Sequence, residues 1–389
     1  MMQPLRIRVA TFNVALDRSR PGQLAAELAT GSTQARNLAH ILQRVRPDIL
    51  LLNEFDHDGE LASDAHLTQF CQHYVAEGEQ GIDYPYRYLV PTNTGVLAPL
   101  VLNREELNEA RLNPDKASLH GESSPTLPQD GLGFGAFHGQ YAMAVLSRFP
   151  LLFEQMRSFR HFLWRDMPDA KLPQTEQGSY YRKPVLDILP LSSKNHLDLP
   201  VLLPNGRVLH LLASHPAPPI DEGGERRNSC RNHDELRLWH DYIRPEQSGY
   251  LYDDAGEKGG LAIGSDFVIL GDLNADPLDG DGYQSAIETL LQEPLLNRAV
   301  ALGSLRPAAR GGFALKLRQS RLGSPKYWTH SQGLRLDYVL PSVGLNAVAS
   351  GVYWPAPNKV DAELFWSKRG WPEWRASSDH RIVWVDLEL

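Results

Sequence analysis

The sequence predicts an α/β protein whose sheets mix parallel and antiparallel strands. Short apolar runs rich in Val, Ile and Leu alternate with segments of helical spacing, and some runs follow one another without a helix between them. Pro, Gly or Asp bounds these runs, as is typical of strands that end in turns. The predicted strands are 6–14, 48–53, 141–147, 184–191, 208–214, 267–270, 335–340 and 382–387.

Two longer segments predict helices. Residues 33–45 have apolar side chains at helical spacing, with Ser32 or Thr33 available to cap the start and Pro47 just beyond the end. Residues 225–243 show a similar spacing of apolar side chains. Together with the strands between and around them, these helices support the α/β prediction.

The composition of the 389 residues is that of an ordinary globular protein. Hydrophobic residues make up 42% and charged residues 22%, which excludes a disordered chain, a collagen-like chain and a coiled-coil rod. The stretches 91–138, 159–182 and 244–265 are polar, Gly/Pro-rich or aperiodic and predict long loop insertions. Because strand-like segments lie on both sides of each insertion, we expect one elaborated domain over 1–389.

The sequence does not indicate a membrane segment or fix a compartment. No apolar run reaches the roughly 18 residues of a transmembrane helix. Residues 1–8 show no signal peptide, so we expect a cytoplasmic protein or an exported one whose leader has been removed. Cys71 and Cys230 can form a disulfide but need not, and the cysteine and histidine spacing does not indicate zinc.

The charge balance limits how this protein can bind anions. It has 39 basic and 47 acidic residues and a net charge of −8. A protein that holds many phosphates by bulk charge is normally basic. We therefore expect any anion to be bound locally or with the help of a metal ion.

The strongest local motif follows the predicted strand 267–270. Gly271 ends this strand, and Asp272 and Asn274 stand two residues apart just beyond it, so that both can face one ligand. A carboxylate suits a hard cation and a carboxamide can hydrogen-bond an anion or water. A turn rich in Asp and Asn is the structural alternative. An EF-hand is rejected, because Pro277 takes the place of its glycine and Tyr283 that of its glutamate.

Other strand ends also have polar side chains. Asn13, Glu54 and His215 stand at or near three of them. In Ser377-Ser378-Asp379-His380, Asp can reach a metal while His handles a proton, although a solvated turn is the plainer interpretation. Asp337 lies inside an apolar strand, where a carboxylate needs a partner, and a histidine would provide one.

These motifs, taken in order, resemble the endonuclease/exonuclease/phosphatase superfamily of DNase I-like metal-dependent phosphoesterases. The segments that resemble it are Phe12-Asn13, Asn53-Glu54, 142–150, Ser214-His215, 271–276, Leu336-Asp337-Tyr338 and Ser378-Asp379-His380. The resemblance implies a two-sheet α/β sandwich with mixed sheets, flanking helices and an active site at one edge. One departure is Asn53, where the family usually has Gln before the metal-binding Glu54.

The resemblance also implies a metal site and a place for water. Glu54 would be the principal ligand of Mg²⁺ or Mn²⁺, with Asn13 close to it. Asp379 would be a second or supporting ligand. Asp272 and Asn274 would orient or deprotonate the attacking water.

The remaining implied roles concern the substrate phosphate. His380 would pair with Asp337 and contact the phosphate. His215 would bind phosphate or assist the leaving group, and Asn274 would add a hydrogen bond. Arg182 stands where the DNase I-like branch has a phosphate-contacting Arg, although an exposed solubilising Arg is the alternative.

The sequence therefore predicts a metal-dependent phosphoester hydrolase, and we favour a phosphodiesterase with nuclease-like activity. The alternative is a phosphatase or phospholipase C-like hydrolase of a small phosphoester such as an inositol phosphate or sphingomyelin. An inactive binding protein of the same fold is disfavoured, because Glu54, Asp272 and His380 are all present. The expected partner is a phosphoester, with nucleic acid as one candidate. We infer no protein partner and expect a monomer.

Overall fold

Two β-sheets packed face to face form the centre of the molecule. The computed structural model describes residues 5–59, 64–99 and 128–389. The strands within these ranges are β1 (Arg6–Leu16), β2 (Ile49–Phe55), β3 (Tyr86–Val90), β4 (Met143–Ser147), β5 (Arg157–Ser158), β6 (Gln174–Thr175), β7 (Gly178–Ser179), β8 (His196–Leu202), β9 (Val208–Ser214), β10 (Asp266–Asp272), β11 (Asp337–Pro341), β12 (Asn346–Val352) and β13 (Val383–Glu388). The α-helices are α1 (Gln23–Thr30), α2 (Thr33–Val45), α3 (Ala65–Phe70), α4 (Lys183–Leu186), α5 (Arg227–Tyr242), α6 (Gln284–Leu291) and α7 (Arg298–Ala301).

Both sheets are mixed, and in each a parallel pair lies inside the strand order. The first sheet has the order β12-β13-β1-β2-β4-β3, with β1 and β2 parallel. The second has the order β11-β10-β9-β8-β5, with β9 and β10 parallel. The neighbours β13 and β11 run antiparallel to these pairs. The predicted two-sheet α/β sandwich with mixed sheets is thereby confirmed.

Strand β10 shows how the sandwich is filled. Successive side chains of a strand point to opposite faces. Val268 and Leu270 pack into the core between the two sheets, whereas Phe267 and Ile269 pack against the cluster that includes α5 and α6. Because both faces of this strand are covered, its sequence is a continuous apolar run rather than an alternating one.

Helix α2 forms where the sequence predicted it. The Oγ of Ser32 accepts a hydrogen bond from the backbone N of Ala35 at 3.2 Å, which satisfies one of the free amides at the helix start. The helix ends at Val45, and Arg46 adopts a left-handed conformation with φ 54° before Pro47. Its apolar face, which includes Leu38 and Leu42, is fully buried.

Several regions differ from the sequence-based predictions, among them the unpredicted strands β3 and β12. The predicted strand 184–191 is wrong, because Pro184 lies in the first turn of helix α4, a position where proline is well tolerated. Strand β8 was not predicted, because His196, Asp198 and Pro200 interrupt its apolar pattern. The Asp198 carboxylate is satisfied there by His210 at 2.8 Å and by the Tyr242 hydroxyl at 2.6 Å, so the polar residue is tolerated inside the sheet.

The predicted insertions contain little regular structure where they are described. Residues 159–182 include the β6–β7 hairpin and a short 3₁₀ turn at Trp164–Asp166. Residues 244–265 include one at Ser248–Tyr250. Of the insertion 91–138, residues 100–127 lie outside the described part. That 1–389 forms one domain with three insertions stays a prediction.

Two further findings concern membrane-spanning helices and the two cysteines. In the described ranges, no helix combines the length and the apolar character needed to cross a bilayer. Cys71 and Cys230 are both buried as free thiols.

Candidate active site

One edge of the sandwich collects the polar strand ends. Asn13 and Glu54 lie near the carboxyl ends of the parallel strands β1 and β2, and Asp272 ends β10. His215 directly follows β9. Because β11 and β13 run the opposite way, their starts bring Asp337 and His380 to the same edge.

A cavity of about 1380 Å³ opens at this edge. The predicted site residues that line it are Glu54, His215, Asp272, Asn274, Asp379 and His380. Asn13 and Asp337 lie behind this layer and are fully buried. They reach the cavity residues through hydrogen bonds, so eight of the nine predicted site residues form one connected group.

Hydrogen bonds across the two sheets fix Asp272 in this group. The Nδ2 of Asn13 donates to Asp272 Oδ2 at 3.0 Å. The Oδ1 of Asn53 accepts from the backbone N of Asp272 at 3.2 Å and from the Thr11 hydroxyl at 3.1 Å. Asn53, which replaces the family's usual Gln, therefore links the first sheet directly to the second.

A glycine allows the strand ends of the second sheet to approach. Gly271 has φ 147°, and a Cβ at this position would collide with the backbone oxygen of Ser214. Glycine is required for such a close contact between backbones. The contact sets His215 beside Asp272, with His215 Nε2 3.4 Å from Asp272 Oδ2.

His380 and Asp337 form a buried pair. His380 Nδ1 lies 2.9 Å from Asp337 Oδ2, which also accepts a hydrogen bond from the Thr329 hydroxyl at 2.7 Å. His380 Nε2 faces Asp272 Oδ2 at 3.6 Å. Burial would lower the pKa of His380, but the charges of Asp337 and Asp272 outweigh it and raise that pKa well above the usual range. These surroundings therefore favour the protonated form of His380.

The pKa values of Asp272 and His215 are both lowered, in contrast to that of His380. Burial would raise the pKa of Asp272, but the charge of His380 and hydrogen bonds from His215 and Asn13 hold it below the usual value. Burial, and next the charge of Lys194, lowers the pKa of His215 to about 4. The site thus contains an ionised Asp272 between one charged and one neutral histidine.

Glu54 combines a left-handed backbone with a raised pKa. Its backbone has φ 57°, a left-handed conformation that costs energy for a residue other than glycine. Burial, and next the charge of Asp17, raises its pKa to about 8. Its side chain is nevertheless 23% exposed towards the cavity. A cation bound at the exposed carboxylate would relieve the cost of ionising it.

The donor set fits a hard divalent cation. Glu54, His215 and Asp272 place one ligand atom each within 4.8 Å of one another, and His330, Asp379 and His380 do the same. The first group contains two carboxylates, which supply the oxygen ligands that Mg²⁺ and Mn²⁺ prefer. The His215 nitrogen that faces this group is Nε2, which lies 3.9 Å from Glu54 Oε1 and 3.4 Å from Asp272 Oδ2.

Asn13 and Asn274 are oriented by their own contacts. Asn13 Oδ1 accepts from the backbone N of Ala15 at 3.1 Å, so Asn13 meets Asp272 as a donor, and its role beside the metal stays a prediction. Asn274 has φ 50°, and its Nδ2 donates to the carbonyl of Pro216 at 3.1 Å. Its backbone N donates to Asp272 Oδ1 at 3.0 Å.

Arg182 is the predicted site residue that does not join this group, although its neighbour Tyr181 lines the cavity. Arg182 precedes helix α4 and is not among the described residues that line the cavity. The sequence comparison that suggested it crosses an insertion, where residue positions are least certain to correspond. The basic residues that do line the cavity are Lys194, Arg227, Arg231 and Arg321.

Two cavity residues were missed by sequence reasoning. His330 Nε2 lies 3.2 Å from Asp379 Oδ2, and its Nδ1 accepts from the backbone N of Gln332 at 3.3 Å. Its ring packs on His380 with centroids 4.5 Å apart. Lys194 stands just before the unpredicted strand β8. His330 lies outside any predicted strand and has no motif around it, so only the fold identifies it.

The chain is similar to one known family and to several solved structures. The sequence model of the Endonuclease/Exonuclease/phosphatase family matches residues 10–380. No curated protein matches the chain. Similar solved structures include an endonuclease/exonuclease/phosphatase from Beutenbergia cavernae DSM 12333, at 16% identity and a TM-score of 0.49, over 99% of this chain and 72% of that one.

Two other solved structures are similar over nearly their full lengths. An endonuclease/exonuclease/phosphatase family protein from Leptotrichia buccalis C-1013-b has 14% identity and a TM-score of 0.46, over 98% of this chain and 100% of that one. A truncated Caenorhabditis elegans TDP2 has 14% identity and a TM-score of 0.44, over 99% of this chain and 98% of that one.

Proposed function

The chain belongs to the endonuclease/exonuclease/phosphatase family, and from that premise we propose that it is a divalent-metal-dependent phosphodiesterase with nuclease-like activity. Members of the family are phosphoester hydrolases, which supports phosphoester hydrolysis in general for this chain. The family that the sequence motifs resembled is thereby confirmed. The diester substrate, the metal and the residue roles belong to the proposal.

One observation supports the proposal most: Asp272 Oδ2 lies 3.6 Å from His380 Nε2 and 3.4 Å from His215 Nε2 at the wall of the cavity. Phosphoester hydrolysis needs a group that positions water and a donor that meets charge building on the phosphate. Both kinds of group are present around one carboxylate oxygen, Asp272 Oδ2.

Glu54 and Asp379 are the carboxylates that would hold the metal. When bound there, a divalent cation would neutralise phosphate oxygens and stabilise the leaving oxyanion. Asp379 is suited to this because its side chain is 38% exposed and His330 fixes its orientation. Burial would raise the pKa of Asp379, but the hydrogen bond from His330 and the charge of His380 hold it below the usual value.

Asp272 and Asn274 would orient the attacking water. Asp272 is ionised and can accept a hydrogen bond or a proton, and its position is fixed by Asn13 and Asn53. The Asn274 amide adds a contact without adding charge that would repel the phosphate. His215 is neutral and can accept or donate a proton near the leaving group.

His380 would donate a charge-assisted hydrogen bond to the phosphate. Its Nδ1 is held by Asp337, which leaves Nε2 and its proton on the cavity side. A hydrogen bond from a charged donor is roughly twice as strong as a neutral one. The bond strengthens as negative charge builds on phosphorus, so it favours the transition state over the substrate.

A diester is favoured because the cavity extends well beyond these residues. Its lining also includes Phe134 and Arg321, so the cavity of about 1380 Å³ has room for the substituents that a diester carries. The described rim is also mixed in charge, with Asp221 and Asp281 beside Arg227. The binding of the phosphate itself then depends on the inner group rather than on a broad basic surface.

The test is hydrolysis of a substrate panel by the purified protein. The panel contains plasmid DNA, RNA, bis-p-nitrophenyl phosphate, p-nitrophenyl phosphate, inositol phosphates and sphingomyelin, each with Mg²⁺, Mn²⁺ or Ca²⁺. We expect cleavage of bis-p-nitrophenyl phosphate and of a nucleic acid, and loss of both in His380→Ala. Hydrolysis of the monoester, inositol phosphates or sphingomyelin alone would replace the nuclease-like proposal by the alternative. No hydrolysis of any member would refute it.

A further inference from the structure

We propose that Lys194 binds a non-bridging oxygen of the substrate phosphate, in the role that sequence reasoning gave to Arg182. This inference rests on the proposed function, because it names a further substrate-binding residue of the same site. It follows from the position of the ammonium group, from its lack of partners and from the way the neighbouring carboxylates are occupied.

The first step is position. Lys194 precedes strand β8, which pairs antiparallel with β9, so the start of β8 lies beside the end of β9 and His215. The Nζ of Lys194 donates to the carbonyl of Pro216 at 3.4 Å. Lys194 lines the cavity together with Glu54, Asp272 and His215. Its ammonium therefore belongs to the same wall as the proposed catalytic residues.

The second step is the shortage of partners. Lys194 is only 6% exposed, yet within the described residues its three donors make one long hydrogen bond, the contact with Pro216. No carboxylate oxygen of the described residues lies within 4.0 Å of its Nζ. Burying an ammonium without pairing costs several kcal/mol in general. An anion that enters the cavity would supply the missing partner.

The third step concerns Glu235, the carboxylate whose charge acts most strongly on Lys194. Glu235 on helix α5 is fully buried, and both of its oxygens are already used. One accepts from the backbone N of Ser193 at 2.6 Å and from its hydroxyl at 2.8 Å. The other accepts from the backbone N of Ala217 at 2.6 Å. Glu235 thus joins the segments that precede Lys194 and follow His215, and it holds both residues in place.

The fourth step concerns the chemistry of the ligand. Asp272 is engaged by Asn13 and faces both histidines, and Glu54 is proposed for the metal. Lys194 therefore still lacks a negatively charged oxygen as a partner, and a phosphate oxygen would provide one. Lysine is a compact point charge that binds phosphate without the bidentate geometry of arginine. The single charge of a phosphodiester would then be met by Lys194 on one side and His380 on the other.

The test compares Lys194→Met with Lys183→Met, in which an exposed lysine is changed. The Lys183 side chain is 84% exposed and pairs only at the surface with Asp187, so this control should behave like the wild type. With bis-p-nitrophenyl phosphate we expect Lys194→Met to lower kcat/KM on the order of 10²-fold, as for loss of a donor to a developing oxyanion. Lys194→Arg should restore part of that loss, since it keeps the charge.

Two further measurements separate binding from structure. Calorimetric titration of the Mn²⁺-loaded protein with inorganic phosphate should show an affinity at least about 10-fold weaker in Lys194→Met, because a charge-assisted contact is lost. Mn²⁺ affinity and Tm should stay within the range of the control. Unchanged phosphate affinity in Lys194→Met would overturn the inference.

The same design distinguishes the two proposals. If the wild type hydrolyses a diester but Lys194→Met keeps full kcat/KM, the inference fails while the proposed function stands. If the wild type hydrolyses nothing, the proposed function fails, and the phosphate titration still decides whether Lys194 is an anion-binding residue.

Discussion

Replacing Asp337 by Asn should affect turnover and stability through two different atoms of the same side chain. Asp337 Oδ2 accepts from His380 Nδ1 at 2.9 Å and from the Thr329 hydroxyl at 2.7 Å, whereas Oδ1 is buried without a partner among the described residues. In the amide, the oxygen must stay with the two donors. The new NH₂ then occupies the Oδ1 position, where no acceptor is described.

Each change has an expected size. A buried donor without an acceptor costs about 1–3 kcal/mol, so the free energy of unfolding should fall by that amount. Loss of the negative charge beside His380 lowers the pKa of that histidine and weakens its hydrogen bond to the phosphate. We expect kcat with bis-p-nitrophenyl phosphate to fall on the order of 10²- to 10³-fold, the range for loss of one preorganised donor.

The assay combines kinetics with urea denaturation, and Asp386→Asn is the matched control. Asp386 is also a buried carboxylate, and Arg8 Nε donates to it at 2.6 Å near the end of β13, whereas the cavity edge lies at the start of that strand. It should lose stability without losing turnover per folded molecule. The double variant Asp337→Asn/His380→Ala should be no slower than His380→Ala, because residues that act as a unit are not additive. Additive losses, or normal turnover in folded Asp337→Asn, would refute the reasoning.

Three other outcomes follow from the described contacts. Excess chelator should abolish hydrolysis and Mg²⁺ or Mn²⁺ should restore it, with weaker metal binding in Glu54→Gln; full activity in chelator would contradict this. Because the pKa of Glu54 is raised to about 8, protons compete with the metal below that pH. The Mn²⁺ affinity measured by calorimetry should therefore rise from pH 6 to pH 8 and level off above pH 8. An affinity that does not change with pH would exclude this competition. Asn53→Ala removes the acceptor shared by Thr11 and the backbone of Asp272, so unfolding in urea should show a loss of about 1–3 kcal/mol and activity should fall with it; a stability equal to the wild type would show that this link between the sheets is dispensable.

The sequence allowed prediction of elements whose signals are local. Helix α2 has its cap, apolar spacing and terminating proline within one short segment, and it forms at the predicted residues. Strand β8 could not be predicted, because its polar side chains are satisfied by residues distant in sequence, such as Tyr242 for Asp198. The strand predicted at 184–191 is wrong because apolar content alone does not distinguish a buried helical turn from a strand.

The candidate site also contains residues that the sequence indicated and residues that it did not. Asp337 and His380 could be paired in advance, because a carboxylate inside an apolar strand needs a partner and the family resemblance implied His380 as that partner. Lys194 could not be found, because it stands before a strand that was itself unrecognised. His330 gave no signal, since its contact with Asp379 joins two loops that only the fold brings together.

The hydrogen bonds of Asn13 and Asn53 to Asp272 have a consequence for the time course of folding. The proposed water-orienting carboxylate belongs to one sheet, and the side chains that fix it belong to the other. A folding intermediate with a single formed sheet would have native strands but no assembled catalytic group. Recovery of hydrolysis during refolding should therefore lag behind recovery of far-ultraviolet circular dichroism if the sheets form before they dock. Substrate turnover would then measure the docking of the two sheets during refolding.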